Sequence, residues 1–220
     1  MSAAAPPEAV PAHVTDAETF AAASGAGSEA VAVLERYRVL LADWNQRMNL
    51  VGASTLDAFW SRHAWDSAQL LAVAPDALTW ADLGAGAGLP GVVLAILGRG
   101  RPGFHVHLVE SMAKRCRFLT KVVETLDLPA TVHNSRAENL QLDVDIVCAR
   151  ACAPLHRLLG FARPYLKRDT MALFLKGQDV ASELEEATRY WDFEADTLPS
   201  LSDARGRIVR VRRLGRARKV

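Results

Sequence analysis

Residues 80–91 read WADLGAGAGLPG. The stretch is a short apolar strand running into a glycine-rich turn, with the apolar run VVLAIL directly behind it. Glycines in such a turn let the backbone approach a ligand closely. Two registers fit. From Gly86 the letters GAGLPG follow the G-x-G-x-x-G dinucleotide pattern, with Gly86, Gly88 and Gly91, which would seat a pyrophosphate on the next helix N-terminus. Pro90 argues against this: it lies just inside that helix start and has no N–H to give, although its ring is sterically welcome there. From Asp82 the pattern is instead Asp-x-Gly-x-Gly-x-Gly, through Gly84, Gly86 and Gly88. An acid then stands at the strand end beside the ligand. That suits a cofactor with a cationic amino-acid portion, such as S-adenosylmethionine, and repels a pyrophosphate.

Outward from the turn, short apolar runs alternate with helical stretches. LTWADL (78–83), FHVHLVE (104–110), ATVHN (130–134), VDIVCA (144–149) and TMALFLK (170–176) have strand character. LPGVVLAIL, SMAKRCRFLTKVVETL, PLHRLLGFARPYL and VASELEEATRYW are the helices between them. The alternation predicts an α/β fold with a parallel sheet covered by helices on both faces. FEADTL and GRIVRVRRL add two further strands. Ligands in such sheets bind beyond the strands' carboxyl ends. The informative positions are therefore Asp82 to Gly88, Glu110, Asn134 with the Ser-Arg-Ala-Glu after it, Arg150, and Lys176-Gly177. Glu110 ends the second strand, where an acid can accept hydrogen bonds from ribose hydroxyls in either cofactor family.

Upstream, residues 1–28 are rich in Ala, Pro, Ser and Gly and are expected to form a mobile tail. Residues 29–75 are expected to be a small helical part. One amphipathic helix starts near Val31, and a second runs from about Leu56 to Val73, with Ser54 or Thr55 as its cap and Pro75 just past its end. Residues 76–220 form the main domain.

The 220 residues carry a net charge of +1, unevenly spread: −4 over residues 1–30 and +8 over residues 205–220. The basic end fits a polyanionic partner or a solvated tail. Lys114, Arg115, Arg117 and Lys121 ride the helix after Glu110, again as phosphate contacts or as a solvated face. Cys116, Cys148 and Cys152 form no CxxC pair and no His cluster accompanies them, which leaves no disulfide framework and no metal site to expect. No run spans a membrane and no signal peptide is visible, so a cytoplasmic protein is expected.

DLGAGAGLPGVVLAI (82–96) followed by VESMAKRCRFL (109–119) resembles the RsmG (GidB) family of small-subunit ribosomal RNA guanine-N(7) methyltransferases. WNQRMNL (44–50), RHAWDS (62–67), SRAENL (135–140), CARACAPL (148–155) and FLKGQ (174–178) extend the resemblance, in order, over about residues 31–215. Ala87 stands where the family often has proline. Asn139 replaces the second acid of its Arg-x-Glu-Glu stretch, so only Glu138 carries over. The resemblance implies a Rossmann-like class I S-adenosylmethionine-dependent methyltransferase fold, acting as a monomer on small-subunit ribosomal RNA or the small ribosomal subunit. It implies that Gly84 and Leu89 contact the cofactor's methionine side, that Ala137 and Glu138 lie at its adenine, and that Glu110 lies at its ribose. It places Arg150 facing the cofactor or the target base.

N7 of guanine already has a free lone pair, so alignment with the methyl carbon and sulfur can supply most of the acceleration and no general base is needed. The end of strand four has neither the Asn-Pro-Pro-aromatic signature of exocyclic amine methylation nor a Pro-Cys nucleophile. Arg150 either orients the guanine or cofactor carboxylate with its planar fork, or pairs with an acid across the crevice. His63 and Asp66, three apart, fall on one helix face as a local hydrogen-bonded pair or as a cover for the target pocket, and neither carries a catalytic proton. Arg212, Arg213 and Arg216 are the candidate RNA contacts at the basic end. Two rival readings are an NAD(P)-dependent oxidoreductase on a Rossmann fold and a non-catalytic cofactor-binding module.

Overall fold

A computed structural model describes residues 13–167 and 169–217. The chain begins with α1 (Ala17–Ser24), α2 (Ser28–Met48) and the short α3 (Ala53–Leu56), followed by a π-helix (Phe59–Trp65) and α4 (Asp66–Val73). From there strands and helices alternate: β1 (Thr79–Leu83), α5 (Gly91–Gly98), β2 (His105–Glu110), α6 (Ala113–Leu126), β3 (Ala130–Asn134), β4 (Ile146–Arg150), α7 (Leu155–Ala162), β5 (Met171–Lys176) and α8 (Val180–Thr188). A hairpin of β6 (Trp191–Pro199) and β7 (Arg207–Arg216) closes the chain.

The seven strands form one sheet in the order β3-β2-β1-β4-β5-β7-β6. The first five run parallel; β7 pairs antiparallel with β5, and β6 with β7. The order reverses between β1 and β4, so the crevice for a ligand opens beyond their carboxyl ends. β1 is central, and Trp80 to Leu83 are buried without alternation, as expected of a strand covered on both faces. Trp80, Val106, Leu108 and Ile146 face α5 and the N-terminal helices. Ala81, Leu83, Val147 and Phe174 face α7 and α8. Among the described residues no helix is long and apolar enough to cross a membrane.

Two expectations for the N-terminal part need correction. Residues 13–28 are not a tail. Asp16 caps α1 in a reciprocal capping box with Thr19, and Val14 and Phe20 are buried. Complete burial of one such aromatic contributes about 1.5–3 kcal/mol, which the alanine-rich composition around Phe20 conceals. Residues 1–12 lie outside the described residues, as do Arg218 and Lys219 of the basic end.

The helix expected from Leu56 to Val73 is interrupted, and neither Ser54 nor Thr55 caps it. Gly52 precedes α3 without a side-chain cap, and the Thr55 hydroxyl donates to the Gly52 carbonyl at 2.7 Å. The wider π-turn brings Phe59, Trp60, His63, Ala64 and Trp65 all inward. There Trp60 packs on Phe20 with ring centroids 5.4 Å apart, and Phe59 meets Tyr37 edge-on at 5.8 Å. The helical part thus shares one core with a face of the sheet.

Candidate active site

The glycine turn leaves β1 with its first two N–H groups donating to the Val109 carbonyl, Gly84 at 2.8 Å and Ala85 at 3.0 Å. Gly84 has φ +70°, and a Cβ there would lie 2.5 Å from Cys152 Sγ. Gly88 has φ +89°, and its Cβ would lie 2.4 Å from Val92 Cγ2. Both positions therefore exclude side chains twice over, by backbone conformation and by space.

Four of the sequence-predicted cofactor residues, Gly84, Glu110, Ala137 and Glu138, line one cleft of about 100 Å³ at the ends of β1, β2 and β3. Glu110 is buried. Its carboxylate accepts from Gly86 N–H at 3.1 Å and Met112 N–H at 2.8 Å, which joins the glycine turn to the end of β2. A carboxylate has further acceptor sites, so Glu110 can still receive a hydroxyl from the cleft.

The other turn residues sit behind the cleft. Gly88 packs on Val92, and Leu89 is buried in the core cluster behind the cleft lining. Asp82 is completely buried beneath the turn. Its Oδ2 accepts from Gly91 N–H, the first residue of α5, at 2.8 Å. Its Oδ1 has no partner. Burial pushes its carboxyl up to about 7, against the opposing Gly91 hydrogen bond.

Beside this cleft, beyond the loop at Ala151–Cys152, lies a polar crevice of about 350 Å³ at the ends of β4, β5 and β7. Arg150 lines it, but its fork is occupied. Nη1 donates to the Arg62 carbonyl at 2.7 Å and to Asp66 Oδ2 at 3.1 Å, and Nη2 donates to His63 Nδ1 at 3.1 Å. Of the two readings of Arg150, the pairing with an acid across the crevice is the observed one. His63 and Asp66 do not bond each other; Arg150 bridges them.

Nδ1 of His63 lies 3.1 Å from both Arg150 Nη2, which only donates, and the Arg62 carbonyl, which only accepts; the tautomer that accepts from Arg150 carries its proton on Nε2, 3.1 Å from Thr55 Oγ1. Burial and the Arg150 charge lower the His63 pKa to about 4, so the ring stays neutral with its lone pair occupied. Asp66 Oδ1 accepts from Ser202 Oγ at 2.6 Å and Gln69 Nε2 at 3.1 Å. Behind the crevice Lys176 pairs with Glu183 at 2.6 Å, and the same carboxylate accepts from Leu155 N–H, which fastens the start of α7. Burial raises the Cys148 and Cys152 thiols above their ordinary value, so neither is poised as a nucleophile.

The candidate RNA contacts divide. Lys114, Arg117 and Lys121 are exposed on α6, while Arg115 lies 3.7 Å from Glu110. On β7, Arg212 pairs with Asp196 at 3.0 Å, and Arg213 pairs with Asp192 at 3.1 Å and Glu194 at 2.7 Å. Arg216 is exposed at the end of β7. Arg210, Arg212 and Arg213 of the basic run are thus matched by acids of the neighbouring strand.

Sequence reasoning missed Tyr37, Thr55 and Ser202. Tyr37 shows only as one more apolar position on α2; Ser202 lies 136 residues from its partner Asp66.

A family model described as rRNA small subunit methyltransferase G (GidB) matches residues 30–208. A protein of Caulobacter vibrioides named Ribosomal RNA small subunit methyltransferase G is 60% identical over 208 residues, covering 94% of this chain and 96% of its own. One of the same name from Methylorubrum populi is 49% identical over 191 residues, covering 86% and 90%. Among solved structures, a mutant of MtNAS in complex with S-adenosylmethionine is similar with a TM-score of 0.55 and 17% identity, over 90% of this chain and 83% of that one. The mitomycin 7-O-methyltransferase MmcR is similar with a TM-score of 0.55 and 16% identity, over 90% and 72%. These structural likenesses establish the class I methyltransferase fold.

Proposed function

The chain belongs to the rRNA small subunit methyltransferase G family, and on that premise we propose how its own residues hold the cofactor and the acceptor. The protein is an S-adenosylmethionine-dependent methyltransferase of small-subunit ribosomal RNA. The acceptor we assign is N7 of one guanine, and the enzyme works as a monomer in the cytoplasm, where its RNA is made.

One observation carries the choice of cofactor. The Asp82 carboxyl occupies the N-terminus of α5, the place a dinucleotide's pyrophosphate would need, by taking Gly91 N–H. Pro90 before it offers no N–H. A buried carboxyl at that place, with Oδ1 unpartnered beneath the turn, disfavours a phosphate there. Of the residues lining the cleft, Glu110 would hold the ribose hydroxyls, Ala137 and Glu138 the adenine, and the backbone at Gly84 the methionine portion. S-adenosylmethionine supplies a methyl group on a positively charged sulfur. The residues around the crevice supply position: Arg150 ties the π-helix to the end of β4, His63 and Asp66 are held by it, and the acceptor base enters the polar crevice beside Ala151. N7 attacks with its own lone pair, so no side chain has to remove a proton, in keeping with a neutral, fully engaged His63. Exposed Lys114, Arg117 and Lys121, with Arg115, Arg212, Arg213 and Arg216, supply phosphate contacts.

Calorimetric titration with S-adenosylmethionine and with NADPH tests this reading. Expected is binding of the first alone, weakened in Glu110→Ala by about 1.5–3 kcal/mol for the lost charge-assisted hydrogen bonds. Binding of NADPH instead would return the glycine turn to the dinucleotide register.

A further inference from the structure

Two ion pairs join the walls of the polar crevice at different depths. The inner pair, Arg150–Asp66, has side chains only 17% and 19% exposed. The outer pair, Arg62–Asp203 at 3.0 Å, has side chains 53% and 30% exposed. Asp203 sits in the turn between β6 and β7. On its other side stands Arg205, with Nε 3.8 Å from Oδ1 and a side chain 74% exposed. Arg207, also lining the crevice, is braced through Nη1 by the carbonyls of Ala204 and Gly206.

Two arginines therefore flank one carboxylate at an open rim, with Arg207 beside them in the crevice lining. An exposed pair of this kind adds little stability. It differs from the β7 arginines, whose acids stand directly across a strand ladder: Arg210 takes Asp196 through both Nε and Nη2. Asp203 is instead in a turn of seven residues joining two strands. Arginine forks match a phosphodiester as well as a carboxylate.

Resting on the ribosomal RNA reading above, we propose that Asp203 holds the place of a backbone phosphate of the RNA substrate. As the target nucleotide enters the crevice, its phosphate displaces the carboxylate from Arg62 and Arg205 and takes their guanidinium groups. No bond is made or broken; one anion exchanges for another. Asp203 thus competes with the substrate for these two guanidinium groups.

Asp203→Asn tests this cleanly. Asn keeps a side-chain carbonyl for the Arg205 N–H, which Asp203 Oδ1 now accepts at 2.9 Å, and removes the charge together with the Oδ2 acceptor of Arg62, which frees that arginine for a phosphate. The probe is unmodified small-subunit ribosomal RNA, with affinity measured across a salt series and turnover measured in parallel. Asp203→Asn should tighten RNA binding by about three- to tenfold and steepen its salt dependence. Arg62→Gln should weaken binding and flatten the log–log salt slope by about 0.7–0.9, one phosphate contact. In the Arg62→Gln background the gain from Asn should shrink. Cofactor affinity should not move in any variant. Unchanged or weaker RNA binding by a normally folded, methylating Asp203→Asn enzyme would overturn the proposal alone. A shift in cofactor affinity would assign the arginines to the cofactor's carboxylate and overturn it too. Wild-type protein that binds the cofactor but neither binds nor methylates the RNA, free or within the small subunit, would overturn the ribosomal reading, and the proposal with it.

Discussion

The hydroxyl of Tyr37, on α2, donates to the carbonyl of Ala87 at 2.6 Å, and both residues are buried. The N-terminal helical part therefore grips the glycine turn directly, from a position 50 residues earlier in the chain. Tyr37→Phe leaves that carbonyl without a donor, at a cost of about 1–3 kcal/mol. Expected are a lower melting temperature and weaker S-adenosylmethionine binding by calorimetry. Equal values for both proteins would show that the turn holds its shape without the clamp.

Asp82 gives a pH dependence of definite sign. Burial raises its carboxyl from 3.8 to about 7. Between those values the folded protein retains a proton that the unfolded chain has lost, so stability falls as pH rises through the window and levels off above it. Asp82→Asn should flatten that part of the stability curve while keeping a carbonyl for Gly91 N–H. The positive charge of a cofactor bound across the turn favours the ionised form, so cofactor affinity should rise between about pH 6 and pH 8 in wild type and stay level in the variant. Turnover at saturating cofactor should show no such limb, because no side chain removes a proton from N7.

Arg150 joins three groups, so its removal should act through position. Arg150→Ala removes the donor to Asp66 Oδ2 and to the Arg62 carbonyl, and a loss of about 1.5–3 kcal/mol of stability is expected for the charged hydrogen bonds. Turnover should fall more than cofactor affinity. A double-mutant cycle with Asp66→Asn should be strongly non-additive. Additive losses, or full rescue by saturating cofactor, would move Arg150 from the acceptor side to the cofactor side.

The charged surfaces should contribute unequally to RNA binding. Arg212 and Arg213 already face acids on β6, whereas Lys114, Arg117 and Lys121 are exposed on α6 without an ion-pair partner among the described residues. Neutralising the α6 set should lower RNA affinity and flatten its salt slope more than Arg212→Gln with Arg213→Gln. The reverse ranking would give the contact to the β7 edge.

Much of this was legible from the sequence because it is local. The glycine turn, the strand-end acids Asp82 and Glu110, and the alternation of strands and helices each depend on residues close in the chain. What escaped depends on distance or on an irregular backbone. A π-turn adds a residue that helical periodicity cannot register, so residues 56–73 looked like one helix. The Asp16–Thr19 capping box was present in the letters, but the alanine-rich composition outweighed it. The acids Asp192, Glu194 and Asp196 alternate in phase with the arginines of β7, a signal lost when charge is summed over the terminal segment alone. Arg150 and Asp66 are 84 residues apart. Spacing could identify each as a strand-end or helix-face residue, but only the fold could show that they hold each other.

Methyl transfer itself is the most direct test. Purified protein is incubated with labelled S-adenosylmethionine and unmodified small ribosomal subunits, in parallel with their free RNA, and the labelled nucleotide is mapped. Expected is label on a single guanine, at N7, with rate and position unaffected by NADPH. Label on an exocyclic amine or a pyrimidine carbon would contradict the base-free displacement at N7, and no label in either substrate would contradict the ribosomal RNA methyltransferase.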